Sequence, residues 1–212
     1  QMEDYGEAGH GYYPVLRQGA GLANVGKALA ADSYILMGED AGGSYADGKV
    51  KVELGDDPER TGTYAFSFSI HNLTNEEKTY ALSADFFTQD LFTHAVNNDG
   101  DQGDYMDTWT TALDADVTFD VGQAVTVPAN GSKDVQVTVR LTDGQKAALK
   151  QYPAGAYIQG YVYAKSGSTE EGVEGTEHSI PVLGFYGSWS EASMFEAVSY
   201  THLRAHETLR HL

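Results

Sequence analysis

Residues 64–70 read Tyr-Ala-Phe-Ser-Phe-Ser-Ile. Large apolar side chains fall on every second position, with Ala or Ser between them. That is the pattern of a strand with one face in a core and the other turned outward. Turn-favouring residues follow in Asn72-Leu73-Thr74-Asn75-Glu76-Glu77-Lys78, and alternation resumes at Tyr80 and Leu82. The arrangement predicts a β-hairpin.

Upstream, Val50, Val52 and Leu54 alternate with charged residues. Downstream, Val125-Thr126-Val127 and Val135-Gln136-Val137-Thr138-Val139 flank Pro128-Ala129-Asn130-Gly131, which predicts a second hairpin. Thr142-Asp143-Gly144-Gln145 is a Thr-x-x-Gln capping box that opens a short helix through Lys150, and Pro153 ends it. Strands are expected again from Tyr157 to Tyr163 and from Ser179 to Phe185. Seven or eight strands with one short helix read as a mainly-β fold, a β-sandwich. The 14 Tyr, 8 Phe and 24 Gly agree with strands joined by turns, and 41% hydrophobic residues suffice for a packed core.

The N-terminal part is different. Residues 1–13 are polar and Gly-rich, and read as loop. Gly19 to Ala31 predicts a short helix, with Leu22, Val25 and Leu29 at helical spacing between alanines. Such a helix cannot make a core alone, so the chain is expected to divide near Ile35 to Ala46, ahead of a β domain of about 150 residues.

Composition excludes several functions. With no cysteine there is no disulfide, thiolate metal site or cysteine nucleophile. A net charge of −18 repels phosphate backbones and argues against nucleic-acid binding. No apolar run approaches the roughly 20 residues that cross a bilayer. No secretory signal opens the chain, and Gln1 suggests a true N-terminus further upstream.

No catalytic constellation is legible. There is no G-x-S-x-G elbow, and Gly187-Ser188-Trp189-Ser190 lacks the closing glycine. His10, His71, His94 and His178 lie in unlike contexts and read as strand-edge or loop residues. Asn97 to Asp104 carries carboxylates at alternate positions, as calcium loops do. The EF-hand pattern fails, because Gln102 and Thr108 stand where Gly and Glu are needed. An exposed acidic hairpin tip is the plainer reading; calcium is the alternative. Asn72-Leu73-Thr74 and Asn130-Gly131-Ser132 fit the glycosylation sequon but read better as turns.

Arg17-Gln18-Gly19-Ala20-Gly21-Leu22-Ala23-Asn24-Val25 and the following residues to Leu29 resemble the C-terminal helix of subtilase catalytic domains. Tyr13-Pro14 is similar to the segment before that helix in lactocepin-type cell-envelope proteases. Phe68 to Thr74, Tyr105-Met106-Asp107, Val125 to Gly131 and His178 to Trp189 resemble, in order, strands of the fibronectin type III-like domain that follows. Ser188 stands where Asp is common in that group. Lactocepins and the related complement-cleaving peptidases share this layout.

The resemblance implies residues 1–35 as the end of a subtilase catalytic domain and residues 36–197 as the sandwich. The parent would be a subtilisin-like serine endopeptidase, extracellular and bound to the cell wall of Gram-positive-type bacteria. Its triad would lie upstream of residue 1, leaving this piece inactive alone and without a cofactor. Its partners would be the upstream catalytic domain in cis and protein or peptide substrates. Asp99, Asp101, Asp104 and Asp107 are the candidate substrate exosite, a negative field in one loop. A stand-alone binding module or adhesin is the rival reading; a subtilase-like helix at Gln18 to Ala31 argues against it.

The last residues stand apart. Val198 to Thr208 resembles one reading frame of an adapter used in DNA library preparation, and residues 198–212 are set aside as a derived tail.

Overall fold

The computed structural model describes residues 14–38, 50–89, 92–94, 103–105, 110–167 and 175–190. The alternating stretch lies in strand β3 (Thr63–Asn72), with Tyr64, Phe66, Phe68, Ile70 and Asn72 buried and the intervening residues half-buried or exposed. On one side β3 pairs antiparallel with β1 (Ser33–Met37), and on the other with β10 (Ser132–Leu141). β8 (Ala115–Phe119) completes a four-stranded sheet in the order β1-β3-β10-β8. Opposite pairs such as Phe66–Val137 and Phe68–Val135 set aromatic rings against β-branched residues, which packs well on a pleated surface.

A second sheet faces it, in the order β2 (Val52–Asp57), β12 (Glu177–Tyr186), β11 (Ala156–Ser166), β4 (Lys78–Gln89) and β7 (Thr110–Ala112). One edge of β4 is long enough to hold two short strands end to end. β9 (Ala124–Val127) pairs at Lys78–Ala81, and β7 pairs at Phe87–Gln89. β2 runs parallel to β12; the other pairings are antiparallel. β5 (Phe92–His94) and β6 (Gly103–Tyr105) form a separate two-stranded pair. The four- and six-stranded sheets exceed the seven or eight strands expected: β1 and β7 show no alternation in sequence, while β8 does, with Ala115, Val117 and Phe119 set between Asp116 and Thr118.

The sandwich core joins Phe66, Phe68 and Ile70 of the first sheet to Tyr80, Leu82, Ile158, Val162, Ile180 and Val182 of the second. Fully burying one such side chain is worth about 1.5–3 kcal/mol. Gly160 sits where the sheet leaves no room for a side chain. A Cβ there would lie 2.3 Å from the Asp85 carbonyl oxygen and 2.8 Å from the Phe86 ring.

Neither expected hairpin forms. β3 and β4 belong to opposite sheets, and so do β9 and β10. Both turns are arches over the same end of the sandwich, and they bond to each other. Buried Asn72 donates its amide to Glu76 O (2.7 Å) and Pro128 O (3.1 Å), and accepts from the Thr74 N–H (3.0 Å). The Asn130 N–H reaches Thr74 O at 2.8 Å. In the second arch only Asn130 takes a positive φ, 50°, and Gly131 N–H closes the turn on Pro128 O at 3.1 Å. A tight type I′ hairpin would need positive φ at both central positions. Alternation and turn chemistry specify a strand and a reversal. They do not say whether the returning strand pairs with its predecessor or faces it across the core.

α3 (Asp143–Leu149) starts as expected, with Thr142 Oγ1 accepting from the Gln145 N–H at 3.1 Å. The other half of the box is redirected, since Gln145 Oε1 accepts from the Asp114 N–H at 3.0 Å. The boundary expected between residues 35 and 36 falls inside β1. Ser33 to Met37 pair with Asn72 to Phe68, and Ile35 is part of the core. Among the described residues no helix is long and apolar enough to cross a membrane.

Candidate docking surface

Along β11, Ile158, Val162 and Ala164 enter the sandwich core, so Tyr157, Gln159, Tyr161 and Tyr163 lie on the outer face of the sheet. The chain from Pro14 to Ala20 crosses part of this face. It includes α1 (Val15–Gln18), one turn that could not stand by itself in water. Val15 is buried against Phe87, Tyr161 and Tyr163. Its N–H donates to Gln159 Oε1 at 2.8 Å, and the Tyr161 hydroxyl donates to Gly19 O at 2.6 Å. Burial pushes the Tyr161 phenol up, with a hydrogen bond to Gln18 acting the other way.

Beyond Gly19 the chain leaves the sandwich. Gly19 (φ 56°) and Gly21 (φ 98°) take left-handed conformations that no continuous helix contains, so the helix expected from Gly19 to Ala31 is shorter. α2 (Val25–Ala30) begins only after Asn24, whose side chain accepts from the Lys27 N–H at 3.0 Å. No residue of α2 is buried. Leu22 is 95% exposed, Val25 70% and Leu29 84%.

The chain is tied down again just past α2. Asp32 accepts from Thr176 Oγ1 (2.8 Å), pairs with Lys78 and receives the Leu73 N–H on its carbonyl (2.9 Å). Next to it, Ser33 Oγ lies 2.9 Å from His178 Nε2. Asp32, Ser33 and His178 are the residue types of a hydrolytic triad, but Ser33 is buried inside the β1–β3 pairing, where no substrate carbonyl can reach it. The group works as a tether, and burial pushes the His178 imidazole below its usual range. Between α2 and the ends of β4, β11 and β12 lies a cleft of about 940 Å³, with Lys27 and Lys78 beside Glu76, Glu77 and Glu177.

The expected site residues are only partly in view. Asp104 lies in β6, in register with Thr93 of β5. Asp99, Asp101 and Asp107 lie outside the described residues, as do the rest of the calcium reading and residues 198–212. Among the described residues no three His, Asp or Glu side chains converge as metal ligands. Of the sequon asparagines, Asn72 is buried with its amide committed to the arch, and the Asn130 amide donates to Asn75 Oδ1 at 2.9 Å. His71 stacks on Tyr34 at 4.6 Å and meets Ser69 Oγ at 2.9 Å. Sequence reading missed α1, β1 and Gln159. Tyr-Ile-Leu-Met at 34–37 was the available signal for β1, whereas a glutamine on the outer face of a strand signals only solvent.

The model of the family described as the Fn3-like domain matches residues 52–183. The chain belongs to this family. The Fn3-like match spans β2 to most of β12 and leaves Pro14 to Ala20, α2 and β1 outside it. The curated relatives include a C5a peptidase of Streptococcus pyogenes, 27% identical over 92% of this chain and 14% of the relative. Another, from serotype M18 of the same species, is 26% identical over 92% of this chain and 15% of its own length. These belong to the complement-cleaving peptidase group that the sequence resembles. The Fn3-like chain therefore spans about one seventh of the curated relatives it matches. Among solved structures, the PapD-like domain 7 of human CEP192 aligns with a TM-score of 0.43 and 11% identity, covering 74% of this chain and 86% of that one. A family 123 glycoside hydrolase from Clostridium perfringens aligns at 0.42 and 7%, covering 73% and 27%. Both likenesses are too loose to bear on function.

Proposed function

We propose that the chain is the accessory β-sandwich of a cell-surface subtilisin-like serine endopeptidase, and that the apolar side of α2 rests against the catalytic domain upstream. The observation that supports this best is the pairing of relatives named as peptidases, matched over 14% of their length, with three large apolar side chains left in solvent. Burying Leu22, Val25 and Leu29 against a neighbour would recover about 1.5–3 kcal/mol each. The resemblance of Arg17 to Leu29 to the terminal helix of subtilase domains names that neighbour.

In this reading the chain itself carries no peptidase chemistry. Its finer part is that Asp99, Asp101, Asp104 and Asp107 attract basic protein substrates. Two proteins test it: this chain, and the reading frame extended upstream. A serine-directed fluorophosphonate should label the longer chain and leave this one unlabelled, and casein should be cut only by the longer. Labelling of this chain would sink the reading. In the longer enzyme, replacing the four aspartates by Asn should lower kcat/KM for a basic protein in a salt-dependent way and spare a short peptide.

A further inference from the structure

Gln159 is the observation that goes furthest. It lies mid-strand in β11, on the outer face of the sheet, where a glutamine is ordinarily solvated. It is only 2% exposed, because the strap from Pro14 to Ala20 lies over it. A buried side-chain carbonyl needs a donor, and the backbone N–H of Val15 supplies one. Two residues further along β11, the Tyr161 hydroxyl donates to the carbonyl of Gly19, four residues after Val15. Two neighbouring outward positions of one strand thus bond to the backbone of the segment that leads into α2, while the Val15 side chain packs against Tyr161. The second tether stands on the other side of α2, where Asp32 binds Thr176 and Lys78, and Ser33 binds His178. α2 is itself unburied yet pinned at both ends.

We infer that Gln159 and Tyr161 form a clamp that sets the angle at which the sandwich meets whatever precedes it in the chain. They are positioning residues that act through the strap. α2 is a docking helix whose orientation comes from its two tethers. The partner is the upstream domain of the same chain, so this inference rests on the proposed function for the partner's identity, while the clamp is a property of the described residues. A free strap would leave the two bodies joined by a swivel, and a protein substrate that touches both would lose part of its site.

The experiment uses Gln159→Met, which keeps the side-chain length and removes the acceptor, combined with Tyr161→Phe. Tyr161→Phe alone is the milder variant should the pair fold poorly. In this chain, trypsin can cut at Arg17 inside the strap and at Lys27 in exposed α2, which provides an internal reference. The double variant should raise cleavage at Arg17 about tenfold, and the single variant about threefold, with Lys27 unchanged, because lost hydrogen bonds increase local opening. In the longer chain, small-angle scattering should show a broader distribution of distances between sandwich and upstream domain. Unchanged cleavage at Arg17 in a folded variant overturns the clamp. Faster cleavage at Arg17 with an unchanged scattering profile overturns its role in setting the angle. Failure of the peptidase reading is read separately, as absence of fluorophosphonate labelling on the longer chain.

Discussion

Tyr64 to Ile70 and Leu22 to Leu29 both space large apolar side chains at the period of a regular element, and they reach opposite surroundings. In β3, Phe66 and Ile70 are wholly buried and Phe68 nearly so. Around α2, Leu22 and Leu29 stand almost fully in solvent. The strand period announces its element in full and the helical one only in part, since Leu22 lies outside α2, and neither announces what covers it. A strand in a sandwich finds its cover within the domain, because the facing sheet comes from the same stretch of chain. A short helix on a strap has no such neighbour among the described residues, and its apolar side is available to a partner.

The comparison can be broken most violently at Phe66. Phe66→Ala empties the middle of the core and should cost about 3–5 kcal/mol, read as a large fall in the midpoint of chemical denaturation. A loss below 1 kcal/mol would mean that the alternating face is not what holds the two sheets together. Asn72→Ala is next. It leaves the Glu76 and Pro128 carbonyls without their donor and the Thr74 N–H without its acceptor, for an expected loss of about 2 kcal/mol. Full stability in that variant would show that the arches close without their cross-link.

A smaller effect belongs to pH. Burial lowers the His178 pKa in the folded chain, so the unfolded chain binds the proton more readily. This contribution is therefore fully present above the unfolded value near 6.5 and is lost as pH falls through it toward the depressed folded value. Asp32, Lys78 and Glu177 lie close by, so the useful quantity is the difference from a His178→Gln variant. Wild type should lose more stability than the variant between about pH 7 and 5; parallel curves would remove His178 from the tether's titration. The smallest effect is expected in α2. Leu22→Ser with Leu29→Ser should change the stability of this chain by about 0.5 kcal/mol or less, since exposed side chains contribute little. The same pair should destabilise the longer chain measurably. A clear loss in this chain alone would place the α2 side chains against the sandwich after all.

Much of the sandwich was legible because its signals are local. Alternation in β3 and β10, the apolar runs of β11 and β12, and the Thr142 cap of α3 depend on residues within a few positions of each other. The arches were misread for the complementary reason. A cluster such as Asn72 to Lys78 suits a hairpin and a sheet crossing equally, and the choice rests on bonds to Pro128, more than fifty residues away. β1 was hidden by shortness and by a boundary placed where the helical pattern ends, although Ile35 fills the core beside β3. On the docking surface a helix was anticipated from Gly19 to Ala31, of which only Val25–Ala30 forms. Gln159 could not be, since nothing in its neighbourhood says that residues 144 positions earlier will cover it.

The sequence by itself determined that this chain builds strands with one apolar face, ends them with specific turns, and carries a short helix ahead of them. Period, capping and turn propensity are encoded by neighbours along the chain. Only the tertiary structure decided which strands share a sheet, that the two arches lock on Asn72, and that Gln159 and Tyr161 hold the strap. Those outcomes depend on which unsatisfied backbone groups and apolar faces meet when distant segments collapse together, and no local pattern records that meeting.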